Sequence, residues 1–164
     1  MRLQTDALRK RYDDFELSIP NFQIDSGTAV GLVGNNGAGK TTVLRLVLDL
    51  VRADEGSVRL DGEVVADTFD WKTRTGSYLG ASFLIDFLTP DEYWHFVGQT
   101  YDLSEAEIAE RLSAFEDFYV DEPFASLDPK SQIQLKELLQ ERHGATTMLI
   151  ASHDLGHVTD VSDR

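Results

Sequence analysis

The sequence lacks several features, and each absence excludes a class of protein. It has no cysteine, which excludes disulfide bonds and thiolate metal sites. Basic residues number 15 against 29 acidic ones, and that acidic surplus argues against binding nucleic acid by neutralising its phosphates. No apolar run is long enough to cross a bilayer, and residues 1–6 lack the pattern of a secretory signal. We therefore expect a cytosolic chain, 164 residues long, with no transmembrane helix and no nucleic-acid partner.

The most informative segment is rich in glycine. Residues 34–41 match the phosphate-binding pattern G-x-x-x-x-G-K-[ST]. In this pattern the glycines let backbone N–H groups turn toward phosphate oxygens, the lysine reaches the outer phosphates, and the threonine hydroxyl can bind Mg²⁺. This segment together with the next residue, Thr42, is called the phosphate loop below. Its candidate nucleotide-binding residues are Gly34, Asn35, Asn36, Gly37, Ala38, Gly39, Lys40, Thr41 and Thr42.

The surroundings of the phosphate loop agree with this interpretation. Residues 28–33 are apolar and predict a buried strand, and apolar residues recur from Val43 to Leu50, which predicts a helix. A helix that begins at the loop adds its positive end to the anion site. We therefore predict that this chain binds a nucleoside triphosphate.

The rest of the chain predicts a mixed α/β domain. Two antiparallel strands are expected between Arg2 and Asp25, a hairpin around Asp61-Gly62, and a further strand over residues 76–79. Helices are expected from Thr89, from Ser104 with a capping box to Glu107, and from Asp128 to Gly144. Residues 146–151 predict a last buried strand.

A second chemical motif lies after the short apolar run Tyr119-Val120. Here Asp121 and Glu122 are adjacent carboxylates at a predicted strand end. In triphosphate hydrolysis an aspartate in such a position holds Mg²⁺, and a neighbouring carboxylate can polarise the attacking water. Alone the pair would be a surface turn, but together with the phosphate loop it predicts a catalytic site.

With these motifs the sequence resembles the ATP-binding subunit of ABC transporters. The resemblance rests on the phosphate loop, Asp121-Glu122-Pro123, residues 126–128 (Ser-Leu-Asp) and residues 152–154 (Ser-His-Asp), in this order. It implies that Glu122 is the catalytic base, that Asp121 serves the Mg²⁺ ion, and that His153 senses the terminal phosphate of ATP. It further implies that residues 126–128 lie at a dimer interface and that Tyr12 stacks on adenine.

The sequence also departs from this family. The glycine-rich signature helix expected before Asp121 is absent, no glutamine occurs at residues 80–82, and the spacing from Lys40 to Asp121 is short. Either the protein lacks the signature helix, or the 164 residues omit a segment near residues 118 and 119 and a stretch after residue 164. We expect the second.

The resemblance implies an α/β fold of the P-loop NTPase type with a mixed sheet, an antiparallel β subdomain and a partial helical subdomain at about residues 84–118, all in one domain over residues 1–164. It implies an ATPase that uses Mg²⁺, dimerises with a second ATP-binding subunit, and is held at the inner face of the cell membrane by a permease partner. Two alternatives are a soluble ABC-type ATPase that acts on the ribosome or DNA, and a regulatory module that binds nucleotide without hydrolysing it.

Overall fold

The fold is seen in a computed structural model that describes residues 1–77, 79, 85, 87–113, 129–152 and 159–163. The described residues fall into two compact units, one formed by Met1–Thr75 with Ile133–Arg164 and the other by Gly76–Gln132. The elements are strands β1 (Leu3–Tyr12), β2 (Phe15–Ile19), β3 (Phe22–Ile24), β4 (Ala29–Val33), β5 (Glu55–Leu60), β6 (Glu63–Val64) and β7 (Met148–Ser152), helices α1 (Lys40–Val47), α2 (Pro90–Thr100), α3 (Glu105–Ser113) and α4 (Pro129–Glu141), and a 3-10 helix at Asp70–Arg74.

An antiparallel sheet fills the first part of the chain. Its strands lie in the order β2-β1-β5-β6, and β3 pairs with the beginning of β1. The predicted antiparallel pairing between Arg2 and Asp25 is therefore confirmed, but the region holds three strands where two were predicted. The Asp61-Gly62 hairpin is confirmed as well, because both residues have positive φ, 49° and 90°, and Leu60 pairs with Glu63. This is the backbone conformation for which Asp-Gly turns are selected.

A pair of parallel strands carries the phosphate loop. The strand β4 pairs with β7 in a register that runs from Ala29 opposite Met148 to Val33 opposite Ser152. The predicted strands at residues 28–33 and 146–151 are thus confirmed within one or two residues. They are less buried than predicted, because only Ala29, Met148 and Ser152 are buried and Val33 is exposed. Because carboxyl ends of parallel strands meet at one edge, Val33 and Ser152 end their strands on the same side of the pair.

Helix α1 ends sooner than the apolar pattern predicts. Apolar residues continue to Leu50, whereas the helix ends at Val47. Asp49 has a φ of 54°, and the N–H of Leu50 donates to the carbonyl oxygen of Arg45 at 2.9 Å. A left-handed residue followed by such a bond closes a helix. The apolar residues beyond Val47 therefore belong to a tight turn.

The core of the first unit lies under the antiparallel sheet. Leu8 and Ile24 are almost fully buried. Trp71 is buried too, and its indole N–H is satisfied by the carbonyl oxygens of Val65 and Thr68, each at 3.1 Å. The other buried members of this cluster are Leu3, Leu46, Val47, Val58, Leu60 and Val65.

The second unit contains the helices α2 and α3, both of which the sequence predicts. At the start of α2 the Glu92 carboxylate accepts from the backbone N–H of Thr89 at 2.9 Å, and this bond lowers the pKa of Glu92. The capping box of α3 is also present, with the N–H of Ser104 donating to Glu107 at 2.9 Å. The strand predicted at residues 76–79 is wrong for residues 76, 77 and 79, which the structure describes outside any strand. Glycine and serine offer little side chain to pack there.

Helix α4 is the third predicted helix. It begins at Pro129 and ends at Glu141, and the expected terminating Gly144 follows with a φ of 79°. The predicted cap, Asp128, lies outside the described residues. The last turns of α4 are tied to the chain end by a 2.6 Å ion pair between Lys136 and Asp160. Within the part of the chain that the structure describes, no helix has the length and apolar character that a membrane span requires.

Candidate phosphate-binding site

The backbone of the phosphate loop is held in a conformation that requires glycine. Gly37 and Gly39 have φ angles of 84° and 91°, a region that other L-residues rarely adopt. The N–H of Ala38 donates to the carbonyl oxygen of Asn35 at 3.1 Å, which closes a turn inside the loop. Residues 35–38 are exposed, and Gly34, Gly39 and Lys40 are half-buried. The loop therefore presents its backbone to solvent from a half-buried base.

Gly39 is constrained by its neighbours as well as by its φ. A Cβ built at this position would lie 2.8 Å from Cζ of Phe15 and 3.1 Å from Cδ1 of Leu17. At such distances a side chain at residue 39 would overlap the aromatic ring. Two side chains of β2 thus pack directly against the phosphate loop.

The Lys40 ammonium lies on the loop. It donates to the carbonyl oxygens of Gly34 at 2.6 Å and Asn35 at 3.0 Å. Both acceptors are neutral, so the positive charge remains available to an anion.

The N-terminus of α1 adds donors to this charge. The helix begins at Lys40, and its N-cap, Gly39, supplies no side-chain hydrogen bond. The first N–H groups of a helix have no partner inside it and suit an anion. Thr41 is exposed in this first turn, and Thr42 is half-buried. The positive charge of Lys40, the N-terminus of α1 and the left-handed glycines of the loop together fit a phosphate group.

Tyr12 lies where β1 turns into β2. It pairs with Phe15 across the hairpin end, and the two rings are stacked with centroids 6.5 Å apart and planes inclined by 27°. The Tyr12 ring is 45% exposed, which leaves surface for a flat ligand. Because Phe15 also packs on Gly39, the structure brings Tyr12 and the phosphate loop together through one side chain.

Phe15 is a site residue that the sequence analysis misses. The alternation in β2 predicts a strand but gives no role to this ring. A signal was present in the chain, because the two-residue turn at Asp13-Asp14 sets Phe15 opposite Tyr12 and therefore on the same face of the hairpin.

Charged groups fix the end of β1. The Asp54 carboxylate accepts from the backbone N–H of Arg11 at 2.6 Å and from the Lys10 ammonium at 3.0 Å. These contacts, led by the backbone hydrogen bond, lower the pKa of Asp54. The hydrogen bond and charge of Glu55 raise the pKa of Arg11. The strand that carries Tyr12 is thus anchored beside the loop.

The other predicted site residues lie outside the described residues. These are Asp121, Glu122 and His153, together with residues 126–128 of the expected dimer interface. Among the described residues no group of three carboxylate or histidine side chains could hold a metal ion. The predicted roles of Asp121, Glu122 and His153, and that of Thr41 toward Mg²⁺, remain predictions.

Known proteins are similar to this chain in sequence. The family model described as ABC transporter matches residues 17–143. An uncharacterised ABC transporter ATP-binding protein of Synechocystis is 27% identical over 86% of this chain and 50% of its own length. The lipopolysaccharide export system ATP-binding protein of Haemophilus influenzae is 29% identical over 99% of this chain and 84% of its own length.

The fold has solved counterparts too. The dimeric structure of a bacterial ABC transporter cassette superposes with a TM-score of 0.76 at 18% identity, covering 97% of this chain and 91% of that one. This likeness confirms the predicted α/β fold of the P-loop NTPase type.

The relatives are longer than this chain. The Synechocystis protein is matched over only half of its length. The alignment with the Haemophilus protein runs over 203 positions, whereas this chain has 164 residues. That relative therefore has residues inside the matched stretch for which this chain has no counterpart.

Proposed function

The chain belongs to the ABC transporter family, and from that membership we propose that it binds and hydrolyses ATP as the subunit that powers a separate membrane permease. The geometry of the phosphate loop is the observation that supports this proposal. Gly37 and Gly39 hold it in a left-handed conformation, Lys40 lies on its carbonyl oxygens, and α1 begins there without a side-chain cap. These are the donors and the charge that the phosphates of ATP require.

In the proposed complex the phosphates of ATP lie on the phosphate loop. The Lys40 ammonium turns from the carbonyl oxygens of Gly34 and Asn35 to the outer phosphate oxygens. The first N–H groups of α1 donate to the same anion. Adenine stacks on the exposed ring of Tyr12. Such a stack contributes affinity without reading the base edges, because every base offers an aromatic face.

We assign the hydrolysis step to residues that follow α3 in the sequence. Glu122 orients and deprotonates the attacking water, while His153 contacts the terminal phosphate. Thr41 and Asp121 hold Mg²⁺, which when bound neutralises charge on the transferring phosphate. The register of β4 and β7 supports the place given to His153, because Ser152 lies opposite Val33 at the strand ends from which the phosphate loop departs.

A second ATP-binding subunit completes the site in this proposal. The related cassette of known structure is dimeric, and residues 126–128 are assigned to the contact between subunits. We assign the signature segment, expected near residues 118 and 119, to the same contact between subunits. We also propose that residues 1–164 act as one ATP-binding domain whose helical part comprises about residues 84–118.

The second unit supports a membrane-protein partner. Acidic residues outnumber basic ones by twelve to two between Gly76 and Gln132. Helix α2 exposes the large aromatic rings of Trp94 and Phe96, which are 47% and 49% exposed. Cytoplasmic loops of membrane proteins carry an excess of Lys and Arg, so an acidic and aromatic surface complements them. We propose that the permease partner holds this subunit at the inner face of the cell membrane.

A second candidate is a module that binds ATP without hydrolysing it. The missing signature helix and the missing glutamine at residues 80–82 favour it. The alternative of a ribosome- or DNA-directed ATPase has no such support, because the net charge of −14 opposes contact with phosphate backbones.

One experiment separates the two candidates. The full-length protein is titrated with ATP by calorimetry, and phosphate release is then measured at saturating ATP and Mg²⁺ in the wild type and in Glu122→Gln. Binding together with release that Glu122→Gln abolishes supports the ATPase. Binding with no release in either protein selects the non-hydrolysing module, and no binding at all contradicts both.

A further inference from the structure

Phe15 joins the two halves of the nucleotide site. We propose that it is a positioning residue, which holds the Tyr12 ring at a fixed distance from the phosphate loop so that base and phosphates are bound together. This inference rests on the proposed binding of ATP. It concerns residues that precede the stretch matched by the family model, residues 17–143.

The hairpin register places both rings on the loop side. Tyr12 is opposite Phe15, and Leu8 is opposite Ile19 in the same hairpin. Since cross-strand partners share a face and alternate residues of a strand do too, Leu8 and Tyr12 point to one side. Leu8 is fully buried in the core. The face that carries Tyr12 and Phe15 is therefore a continuation of the core-facing side of the sheet.

On that face Phe15 has contacts in two directions. Its ring stacks on Tyr12 with a centroid separation of 6.5 Å. Its Cζ atom lies only 2.8 Å from the point that a Cβ of Gly39 would occupy. The absence of a side chain at Gly39 thus lets the ring approach the loop backbone. The rigid ring of Phe15, on a side chain with only two rotatable bonds, therefore reaches from the Tyr12 ring to the phosphate loop.

The end of β1 is fixed from another direction. Asp54 accepts from the backbone N–H of Arg11 at 2.6 Å, and its own N–H donates to the carbonyl oxygen of Arg9 at 2.9 Å. The backbone of the strand is therefore held without Phe15. What Phe15 adds is a contact between the Tyr12 ring and the phosphate loop. The Lys10 ammonium also lies 5.7 Å from the centroid of the Tyr12 ring, but it does not link this ring to the loop. A smaller residue at position 15 would therefore remove that link while the strand stays paired.

The first test compares two ligands in the full-length protein. ATP uses both Tyr12 and the loop, whereas inorganic tripolyphosphate uses the loop alone. We expect Phe15→Leu to weaken ATP binding roughly two- to tenfold, the size of an aromatic pair, and to leave tripolyphosphate binding unchanged. Phe22→Leu, an aromatic change on β3, is the matched control and should alter neither ligand.

If Phe15→Leu lost equal affinity for both ligands, Phe15 would only support the loop. If its ATP affinity were unchanged, Phe15 would have no part in the site. Either result overturns the inference. Wild-type protein that binds neither ligand contradicts the proposed function itself, so the two failures are distinguishable. Thermal unfolding confirms that each variant is folded, and Phe15→Met replaces Phe15→Leu if the latter is not.

The second test asks whether Phe15 acts through Tyr12. ATP affinities are measured for Tyr12→Ala, Phe15→Leu and the double variant. If Phe15 positions Tyr12, then Phe15→Leu has no further effect once the Tyr12 ring is gone. Additive losses would mean that Phe15 contacts the nucleotide or the loop independently, and the inference would be wrong.

Discussion

The ammonium of Lys40 donates a hydrogen bond to the carbonyl oxygen of Gly34 at 2.6 Å, so the charge that serves the ligand also braces the loop that holds it. A neutral acceptor competes weakly with a phosphate oxygen for such a donor. The side chain can therefore be ordered before ATP arrives and still be free to bind it. Preordering of this kind lowers the entropy lost on binding.

Replacing Lys40 by methionine should abolish most of the ATP affinity. We expect a loss of at least about tenfold, because a hydrogen bond to a charged group contributes roughly 1.5–3 kcal/mol. Isothermal titration with ATP measures it. The control is Lys72→Met, since the Lys72 ammonium lies over the rings of Phe69 and Trp71 instead. Equal losses in the two variants would contradict a local role for Lys40.

The two left-handed glycines of the loop should respond differently to alanine. Gly37→Ala meets only the strain of its φ, because among the described residues, its chain neighbours aside, no atom lies within 4 Å of the added Cβ. It should lower stability by about 1–2 kcal/mol. Gly39→Ala adds overlap with Phe15 and should lose roughly 1–3 kcal/mol more. Urea unfolding gives both values. A similar loss in both variants would show that Phe15 does not confine Gly39.

Stability should fall in acid partly through Asp54. Its pKa is lower in the folded chain than its ordinary value of 3.8, so its contribution is complete above that value and is lost as the pH falls through the folded pKa. Unfolding free energy measured from pH 6 to pH 3 should therefore fall less steeply in Asp54→Asn than in the wild type. Because the backbone N–H of Arg11 is the main cause, Lys10→Met should keep most of the wild-type slope. A wild-type slope in Asp54→Asn would exclude this role.

Alanine at Gly98 should destabilise the protein although it favours helices. The added Cβ would lie 2.3 Å from Cδ1 of Ile108, which is buried, and this overlap should outweigh a helix-propensity gain of about 1 kcal/mol. Thermal unfolding should show a lower midpoint for Gly98→Ala. In an Ile108→Ala background, which removes both Cδ1 and the Cγ1 atom that lies 2.5 Å from the added Cβ, the same change should be neutral or stabilising. A gain in the original background would mean that α2 and α3 can move apart.

Local signals in the sequence were enough for much of the fold. Asp61-Gly62 predicted its hairpin because few residue pairs accept two positive φ angles. Thr89 predicted a helix start because Pro90 follows it, and Ser104 did so because Glu107 lies three residues on. In these cases the cause and the structure it produces lie within a few residues of each other.

Features that depend on distant contacts were missed or placed wrongly. The end of α1 depends on the left-handed Asp49, a conformation that aspartate adopts only in some contexts. The role of Phe15 depends on Gly39, which lies on another element. A strand at residues 76–79 would need a neighbouring strand to pair with, and the residue types of this segment do not show whether one lies beside it.

The pairing of β4 with β7 has a consequence for how the molecule forms. Ala29 and Met148 are neighbours in the sheet, so their contact closes a loop of most of the chain, and long loops are slow to close. The antiparallel hairpins close over a few residues and can form early. On a ribosome, the phosphate loop emerges long before the strand beside it does. The nascent chain therefore carries the nucleotide motif before the strand that pairs with β4 has been made.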